Sequence, residues 1–483
     1  MKSVKSSFYN VLVPVEEERE FLLYNIRSGG LEVLSDRDGQ NLRRLMEDSE
    51  VEDLSGMESL TEYLYQGGYL VDKSVNERQD YLNHYLNEKA SSTTSEVGTI
   101  GLTIGTTITC NMGCPYCFEF EKPNKTLKDD SVIDAVVTYI EDMIAKSPVK
   151  HWTELGITWY GGEPLINYKS IEKLTPKLKA LCERHGIAYT AMIITNGLLL
   201  TENVWKKLKE HDVLTLQITI DGAEETHNLK RPLKTLHGEN YKRILQNLAI
   251  MPPEVNVTIR INVDKNVAKG FLEFFNDLQA YGIWPQKYRQ VKFNASWLRP
   301  YAEITDDVAS DFYTNDEFFD VLFDFKMIQL EIFNAWAEQN NTRAGKLRWL
   351  LPSLQQDCAV WVSPYDVVVD PEGYLQKCWE TVHDSQYHIR HITEGYNADI
   401  FKDYTAYNKV TLNEICENCN IMPVCERLSC SFEAIKKGKP DCTYWKTRLP
   451  DALKRQYLML KHNPDIMGMP EQNVKKTTHA NNK

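Results

Sequence analysis

Three cysteines stand within eight residues, in the run Thr109-Cys110-Asn111-Met112-Gly113-Cys114-Pro115-Tyr116-Cys117-Phe118-Glu119. The spacing is C-x3-C-x2-C. Thiolate is the form of cysteine that binds metal, and three on one tight loop can hold three irons of a cubane [4Fe–4S] cluster. Such a cluster normally takes four protein ligands, so this loop leaves one iron open to a ligand that can bind and react. Gly113 and Pro115 suit a loop wrapped closely around something. A structural zinc loop, completed by a ligand distant in sequence, uses the same residue types.

Further chemistry-bearing residues follow at intervals. Trp159-Tyr160-Gly161-Gly162-Glu163-Pro164 joins two glycines, which permit close backbone approach, to a carboxylate that complements an ammonium. Thr195-Asn196-Gly197 and Thr219-Ile220-Asp221-Gly222 read as turns, and Arg231 offers a fork suited to a carboxylate. His227 reads as structural. Of the 11 cysteines, seven more lie between Cys358 and Cys442, at Cys358, Cys378, Cys416, Cys419, Cys425, Cys430 and Cys442. In a reducing compartment such clusters are more often metal ligands than disulfides. The C-x2-C pair Cys416/Cys419 alone also fits a zinc knuckle. Cys182, on the apolar side of a helix, reads as a small buried hydrophobe.

These residues need elements to position them. Apolar or β-branched runs at Ile100–Ile108, Leu155–Tyr160, Ala188–Ile194, Leu214–Ile220, Val255–Val263 and Val291–Phe293 predict strands. Helical patterns fill the gaps at 129–146, 169–185, 202–210, 239–249 and 268–281. Such alternation predicts an α/β fold, a parallel sheet with right-handed crossovers closing into a partial (β/α)6 barrel over residues 100–310. Each candidate motif then falls just after a strand, at the end where such folds carry their chemistry.

Residues 1–90 read as a separate winged-helix-like module. Strands Phe8–Val13 and Phe21–Ile26 flank the charged turn Glu16–Glu20, helices follow at Asp38–Met46 and Met57–Tyr65, and Tyr69–Val71 closes it. A small capping domain without a ligand fits the same pattern. Residues 91–99, with the run Ser91–Ser95, read as a linker. A helical bridge is expected over 311–357, from the pattern at 313–350. The cysteine-rich region occupies 358–450, with a hairpin in which Asp366–Val369 and Tyr374–Gln376 flank Asp370-Pro371-Glu372-Gly373. A C-terminal helix and polar tail are expected over 451–483, frayed from Met467.

The 483 residues suggest two to four domains, and 42% hydrophobic with 25% charged residues excludes wholesale disorder. With 68 acidic against 55 basic residues the formal charge is −13, which disfavours non-specific nucleic-acid binding. No run approaches the ~18 apolar residues of a membrane span. Met1–Asn10 lacks the apolar core of a signal peptide, so a cytoplasmic location is expected.

With the aromatic Tyr116 before its third cysteine, the first loop resembles the signature of the radical S-adenosylmethionine (SAM) enzymes, and the resemblance extends over about residues 100 to 300. Gly161-Gly162-Glu163-Pro164 matches the family's GGEP motif, which implies that this backbone and Glu163 hold the SAM amino group. Thr195-Asn196-Gly197 is similar to its TNG turn. Related peptide-modifying members carry Ser-x-Asp-Gly where this chain has Thr219-Ile220-Asp221-Gly222, and an arginine where it has Arg231. The resemblance implies that Thr219 and Arg231 contact the SAM carboxylate. It assigns Cys110, Cys114 and Cys117 to the catalytic cluster, and Tyr116, Gly161, Gly162, Glu163, Asn196, Thr219 and Arg231 to SAM.

The C-terminal cysteines resemble the SPASM domain, which carries two further [4Fe–4S] clusters, three in all. By that analogy Cys416, Cys419, Cys425 and Cys442 fill the distal cluster, while Cys358, Cys378 and Cys430 leave an iron open on the nearer one. The spacing before Cys430 is one residue longer than the family's usual pattern. The N-terminal module resembles the RiPP recognition element, which binds the leader of a ribosomally made precursor peptide as an added strand. The nearest resemblance is to the sactipeptide and ranthipeptide maturases. It implies a 5′-deoxyadenosyl radical that takes hydrogen from an acceptor carbon, thioether formation with a substrate cysteine, and a flavodoxin or ferredoxin reductant. Three other readings remain. An anaerobic sulfatase-maturing activity would put an aspartate after Cys378, where this chain has Trp379 and then Glu380. The others are a carbon–carbon crosslinking maturase and a non-catalytic zinc-scaffold protein that binds peptides.

Overall fold

The computed structural model describes residues 4–47, 58–119, 123–234, 240–286, 290–299, 305–410, 414–438 and 441–470, with the backbone alone at 58, 59, 92–94 and 437. They form two compact units. One comprises the described parts of Met1–Ser91, Gly345–Asp357 and Asn408–Lys483, and the other those of Ser92–Ala344 and Cys358–Tyr407. Among the described residues no helix is long and apolar enough to cross a membrane.

In the first unit β1 (Val4–Ser6), β2 (Asn10–Val15), β3 (Glu20–Asn25), β4 (Leu31–Ser35) and β5 (Leu70–Asp72) make two small sheets. β2, β3 and β4 form an antiparallel meander, and β1 pairs with β5. β2 and β3 are the two expected strands, and β3 is buried on both faces from Phe21 to Asn25. β4 is an addition: Gly29, at φ 73°, turns the chain so that Leu34 joins the core. Helix Asp36–Glu47 lays Leu42 and Leu45 on Phe21, Leu23 and Leu34. The expected start of the next helix, Met57, lies outside the described residues, and the helix is seen from Glu58 to Gln66. Helix Glu77–Thr94 absorbs most of the expected Ser/Thr linker, because its earlier turns supply the nucleus that a weak helix-forming tail needs only to extend.

The C-terminal helix Trp445–His462 belongs to this unit and engages the acidic β2–β3 turn. Lys454 pairs with Glu16 at 2.9 Å and Glu17 at 3.0 Å, and Lys461 with Glu18 at 2.9 Å and Glu20 at 2.7 Å. The tail beyond 470 lies outside the described residues.

In the second unit β6 (Val97–Thr107), β7 (His151–Gly161), β8 (Ala188–Thr195), β9 (Val213–Thr219), β10 (Asn256–Val263) and β11 (Gln290–Trp297) are the six expected strands. All are parallel and paired in sequence order, with helices in the crossovers. The core is the strands' apolar side chains, with Ile104, Ile157, Trp159, Ile193, Ile218 and Ile259 essentially inaccessible to solvent. The Asp370 turn makes the expected hairpin of β12 (Asp366–Val369) and β13 (Tyr374–Gln376), with the short β14 (Arg390–His391) beyond it. β12 pairs parallel to β6, Val367 against Leu102, so hairpin and barrel strands share one nine-stranded sheet.

The expected helix over 313–350 is shorter. It runs Asn315–Gln339 from a Thr314/Glu317 capping box and stops where Asn341 takes φ 48° and Thr342 N–H returns to the Ala337 carbonyl at 2.9 Å. That closure satisfies the last carbonyls and turns the chain out of the helix.

Candidate functional site

The three-cysteine loop leaves the end of β6 and is strapped at both ends. On one side Gly162 N–H donates to the Thr107 carbonyl at 2.9 Å and Glu163 N–H to the Thr109 carbonyl at 3.1 Å. This approach requires both glycines. A Cβ on Gly161, which sits at φ +118°, would lie 2.1 Å from the Thr107 oxygen, and one on Gly162 would lie 2.2 Å from that of Ile108. On the other side Gly113 N–H donates to the Pro232 carbonyl at 2.8 Å, and Lys234 N–H to that of Asn111 at 3.0 Å. Met112 N–H points at Cys110 Sγ, 3.4 Å away. Cys110 is buried; Cys114 and Cys117 are partly exposed.

This donor set fits an iron–sulfur cluster. Three thiols share one braced loop, and a backbone N–H is aimed at one sulfur, a contact that stabilises thiolate. Among the described residues no group of three His, Cys, Asp or Glu side chains is drawn together.

Glu163 is fully buried. Its carboxylate accepts from Thr195 Oγ1 at 2.7 Å, Asn196 N–H at 2.8 Å and Leu165 N–H at 3.1 Å. Burial pushes its carboxyl above the usual range, and these donors oppose the shift. Glu163 therefore ties the end of β7 to the end of β8. Asn196 continues the chain of contacts, donating from Nδ2 to Asn111 Oδ1 at 2.7 Å. Gly161, Gly162, Glu163 and Asn196 thus all touch the cysteine loop directly or through one partner.

Arg231 and Tyr116 meet at Asp221, just after β9. Tyr116 Oη donates to Asp221 Oδ2. Arg231 Nη1 donates to Tyr116 Oη at 2.6 Å and lies 3.5 Å from Asp221 Oδ2. Asp221 Oδ1 accepts Asn262 N–H from β10 at 2.8 Å, and Asp221 N–H donates to His227 Nδ1 at 3.1 Å. His227 is therefore held with Nδ1 unprotonated; burial, and then the Arg231 charge, push its pKa well below the ordinary value. Burial raises the Tyr116 phenol well above its ordinary value, with the Arg231 charge opposing. Arg231 Nε is buried and has no hydrogen-bond partner in the protein. The Asp221–Tyr116 contact is absent from the sequence reading: nothing local marks an Asp-Gly turn as facing a tyrosine 105 residues earlier. Thr219, the last residue of β9, is half-buried.

The remaining cysteines divide between the units. Cys358 and Cys378 belong with the sheet, and Cys416, Cys419, Cys425, Cys430 and Cys442 with the first unit. Cys378 follows β13. Lys377 beside it donates to the carbonyls of Ser363 and Asp366, each at 2.6 Å, which ties that position to the chain just after Cys358. Trp379 packs on Tyr160, ring centroids 5.7 Å apart, and Glu380 Oε1 accepts from Arg299 at 2.9 Å. In the first unit Cys419 Sγ accepts from Lys446 Nζ at 3.4 Å, and burial pushes the Cys425 thiol up to about 11. Cys182 is buried on helix Tyr168–His185, its thiol also pushed up to about 11 by burial.

Residues 104–274 match the model of the Radical SAM superfamily. The radical SAM cyclopropyl synthase TigE of Paramaledivibacter caminithermalis is 27% identical over 208 residues, 39% of this chain and 43% of that protein. The serine-type anaerobic sulfatase-maturating enzyme of Bacteroides thetaiotaomicron is 26% identical over 184 residues, 36% of this chain and 42% of that protein. These matches span less than half the length of either relative. Among solved structures, native anSMEcpe with bound AdoMet and Kp18Cys peptide superposes with a TM-score of 0.53 at 16% identity, covering 75% of this chain and 98% of that one. The matched residues lie in the second unit and run from within β6 to beyond β10.

Proposed function

We propose that this chain is a radical SAM peptide maturase that installs thioether crosslinks, from a cysteine sulfur to an α- or β-carbon, in a ribosomally made precursor peptide. The observation that carries the radical SAM reading is the braced loop of Cys110, Cys114 and Cys117 together with the buried, unpartnered Arg231 Nε. When bound there, a [4Fe–4S] cluster and SAM supply a 5′-deoxyadenosyl radical, which removes hydrogen from an unactivated carbon. Arg231 and Thr219 would take the SAM carboxylate, and the Gly161–Glu163 backbone its amino group. Tyr116 would pack the loop in place, and the aromatic wall of Tyr160 and Trp379 would exclude water.

The peptide class draws support from the sulfatase-maturating relatives and from the bound peptide named in the solved structure. The thioether outcome rests on the cysteine count. By the resemblance to the SPASM domain, the seven cysteines beyond the first loop and Cys182 would fill one auxiliary cluster (Cys416, Cys419, Cys425, Cys442) and leave the other (Cys358, Cys378, Cys430) one ligand short. A substrate thiolate would occupy that position. In net terms the acceptor carbon would lose one hydrogen and the thiol another as a carbon–sulfur bond formed, and the auxiliary clusters, when bound, would accept the surplus electron. The N-terminal module would hold the leader as an added strand, raising the core peptide's local concentration. A small low-potential flavodoxin or ferredoxin would supply electrons.

The test is anaerobic turnover with the precursor peptide encoded beside this gene, SAM and a reductant, read by mass spectrometry after thiol alkylation. Loss of two hydrogens per crosslink, with that cysteine no longer alkylated, supports the thioether. The same loss with every cysteine alkylated points to carbon–carbon crosslinking. Conversion of a Cys or Ser to formylglycine establishes the sulfatase-maturing reading. No deoxyadenosine from iron-replete, reducible protein removes the radical mechanism.

A further inference from the structure

We propose that Asp221 is a positioning residue that sets the cysteine loop and the ligand-facing edge of Arg231 together, through the Tyr116 hydroxyl. The proposal deepens the radical SAM reading of residues 104–274 and rests on it.

The geometry leaves Asp221 little freedom. It is fully buried; one carboxylate oxygen is held by Asn262 N–H at 2.8 Å, and its own N–H is held by His227 Nδ1 at 3.1 Å. The other oxygen accepts the Tyr116 hydroxyl. Tyr116 stands between Cys114 and Cys117, so this single bond anchors the middle of the loop to the turn after β9. The same hydroxyl accepts Arg231 Nη1 at 2.6 Å. A guanidinium is planar, so fixing Nη1 also fixes the direction of Nε, the buried donor with no partner in the protein. Asp221 also supplies the countercharge that lets Arg231 remain buried with that donor free.

Two otherwise separate tasks, holding three thiols in place and presenting a donor to a carboxylate, thereby depend on one side chain. Coupling of this kind is reciprocal. Loss of the Tyr116 hydroxyl must weaken carboxylate binding although Tyr116 Oη need not touch that carboxylate.

The experiment uses the full chain, reconstituted anaerobically, as wild type, Tyr116→Phe, Asp221→Asn and the double variant. Three quantities are read: iron per chain, the SAM dissociation constant by equilibrium dialysis, and the change that SAM produces in the electron paramagnetic resonance spectrum of the reduced protein. Tyr116→Phe is expected to hold less iron than wild type, bind SAM about tenfold more weakly per iron-loaded chain, equivalent to about 1.4 kcal/mol, and show a diminished SAM-induced spectral change. The double variant should bind no more weakly than Asp221→Asn alone, because residues acting as one unit are not additive. An unchanged dissociation constant and spectrum in Tyr116→Phe overturn the proposal, as does full additivity. If Asp221→Asn loses iron or fails to fold, Tyr116→Phe, which removes only a hydroxyl, decides alone. A wild-type protein that carries iron but binds no SAM refutes the underlying reading, and the proposal with it. Wild-type SAM binding with indifferent variants sinks the proposal only.

Discussion

The carboxylate of Glu163, at the end of β7, accepts the backbone N–H of Asn196, at the end of β8, over 2.8 Å, in a site closed to solvent. Two neighbouring strands are thus joined at the edge where the chemistry lies. Glu163→Ala leaves the Asn196 and Leu165 amides and the Thr195 hydroxyl without their acceptor, a cost of about 1–3 kcal/mol for each unsatisfied buried group. Glu163→Gln keeps an acceptor and should lose less. Denaturant unfolding of the apo-protein measures both; equal stability of Glu163→Ala and wild type would contradict the role.

Glycine is needed at 162 for contact distance, and at 161 both for contact distance and for its φ of +118°. Gly161→Ala and Gly162→Ala must push the cysteine loop away from β7, and each should lose about the four irons of one cubane. Gly113→Ala is the control, since its Cβ would meet nothing closer than Lys234 Cγ at 3.7 Å. Iron assay after reconstitution separates them, and full iron in Gly161→Ala would show that the loop does not depend on this approach.

Cys114→Ala should lose the same four irons and all deoxyadenosine formation. Cys182→Ala should retain both, because its thiol is buried in a helix face and held protonated by that burial. Loss of iron in Cys182→Ala would make it a ligand.

His227 gives the molecule a pH dependence of definite sign. Its folded-state pKa is depressed, so the unfolded chain takes up the proton first as pH falls. The stability contribution is full above the unfolded value of about 6.5 and is lost as pH falls from there towards the folded pKa, at about 1.4 kcal/mol per pH unit. Denaturant titrations of the apo-protein at pH 7.5, 6 and 5 should show this slope, and His227→Gln should lack it. An identical slope in the variant would place the effect elsewhere.

The strands and the order of the motifs after them were legible because both follow local rules: alternation, β-branching, and glycine where a strand turns out. The six parallel strands from β6 to β11 and the Asp370 hairpin are of this kind. What escaped notice depends on partners far along the chain. The pairing of β12 with β6 joins residues 265 positions apart, Val367 with Leu102. A hairpin pattern says nothing of a third strand beside it. The Asp221–Tyr116–Arg231 group was visible only as three separate residues. The end of helix Asn315–Gln339 was missed because apolar residues continue beyond it; the positive φ at Asn341 is a backbone choice that Asn permits without announcing.

The parallel pairing of β12 with β6 has a mechanical consequence. Hydrogen-bonded strands do not slide continuously: the next register carries every side chain to the opposite face. β6 leads into the loop of Cys110, Cys114 and Cys117, and β12 leads through β13 to Cys378. The two cysteine-bearing segments are therefore indexed to each other like teeth on one rack. A single-residue insertion in either strand would move its cysteines by a whole step rather than by a small adjustment, so the tolerance for length changes should be high in the connecting loops and close to zero within β6 and β12.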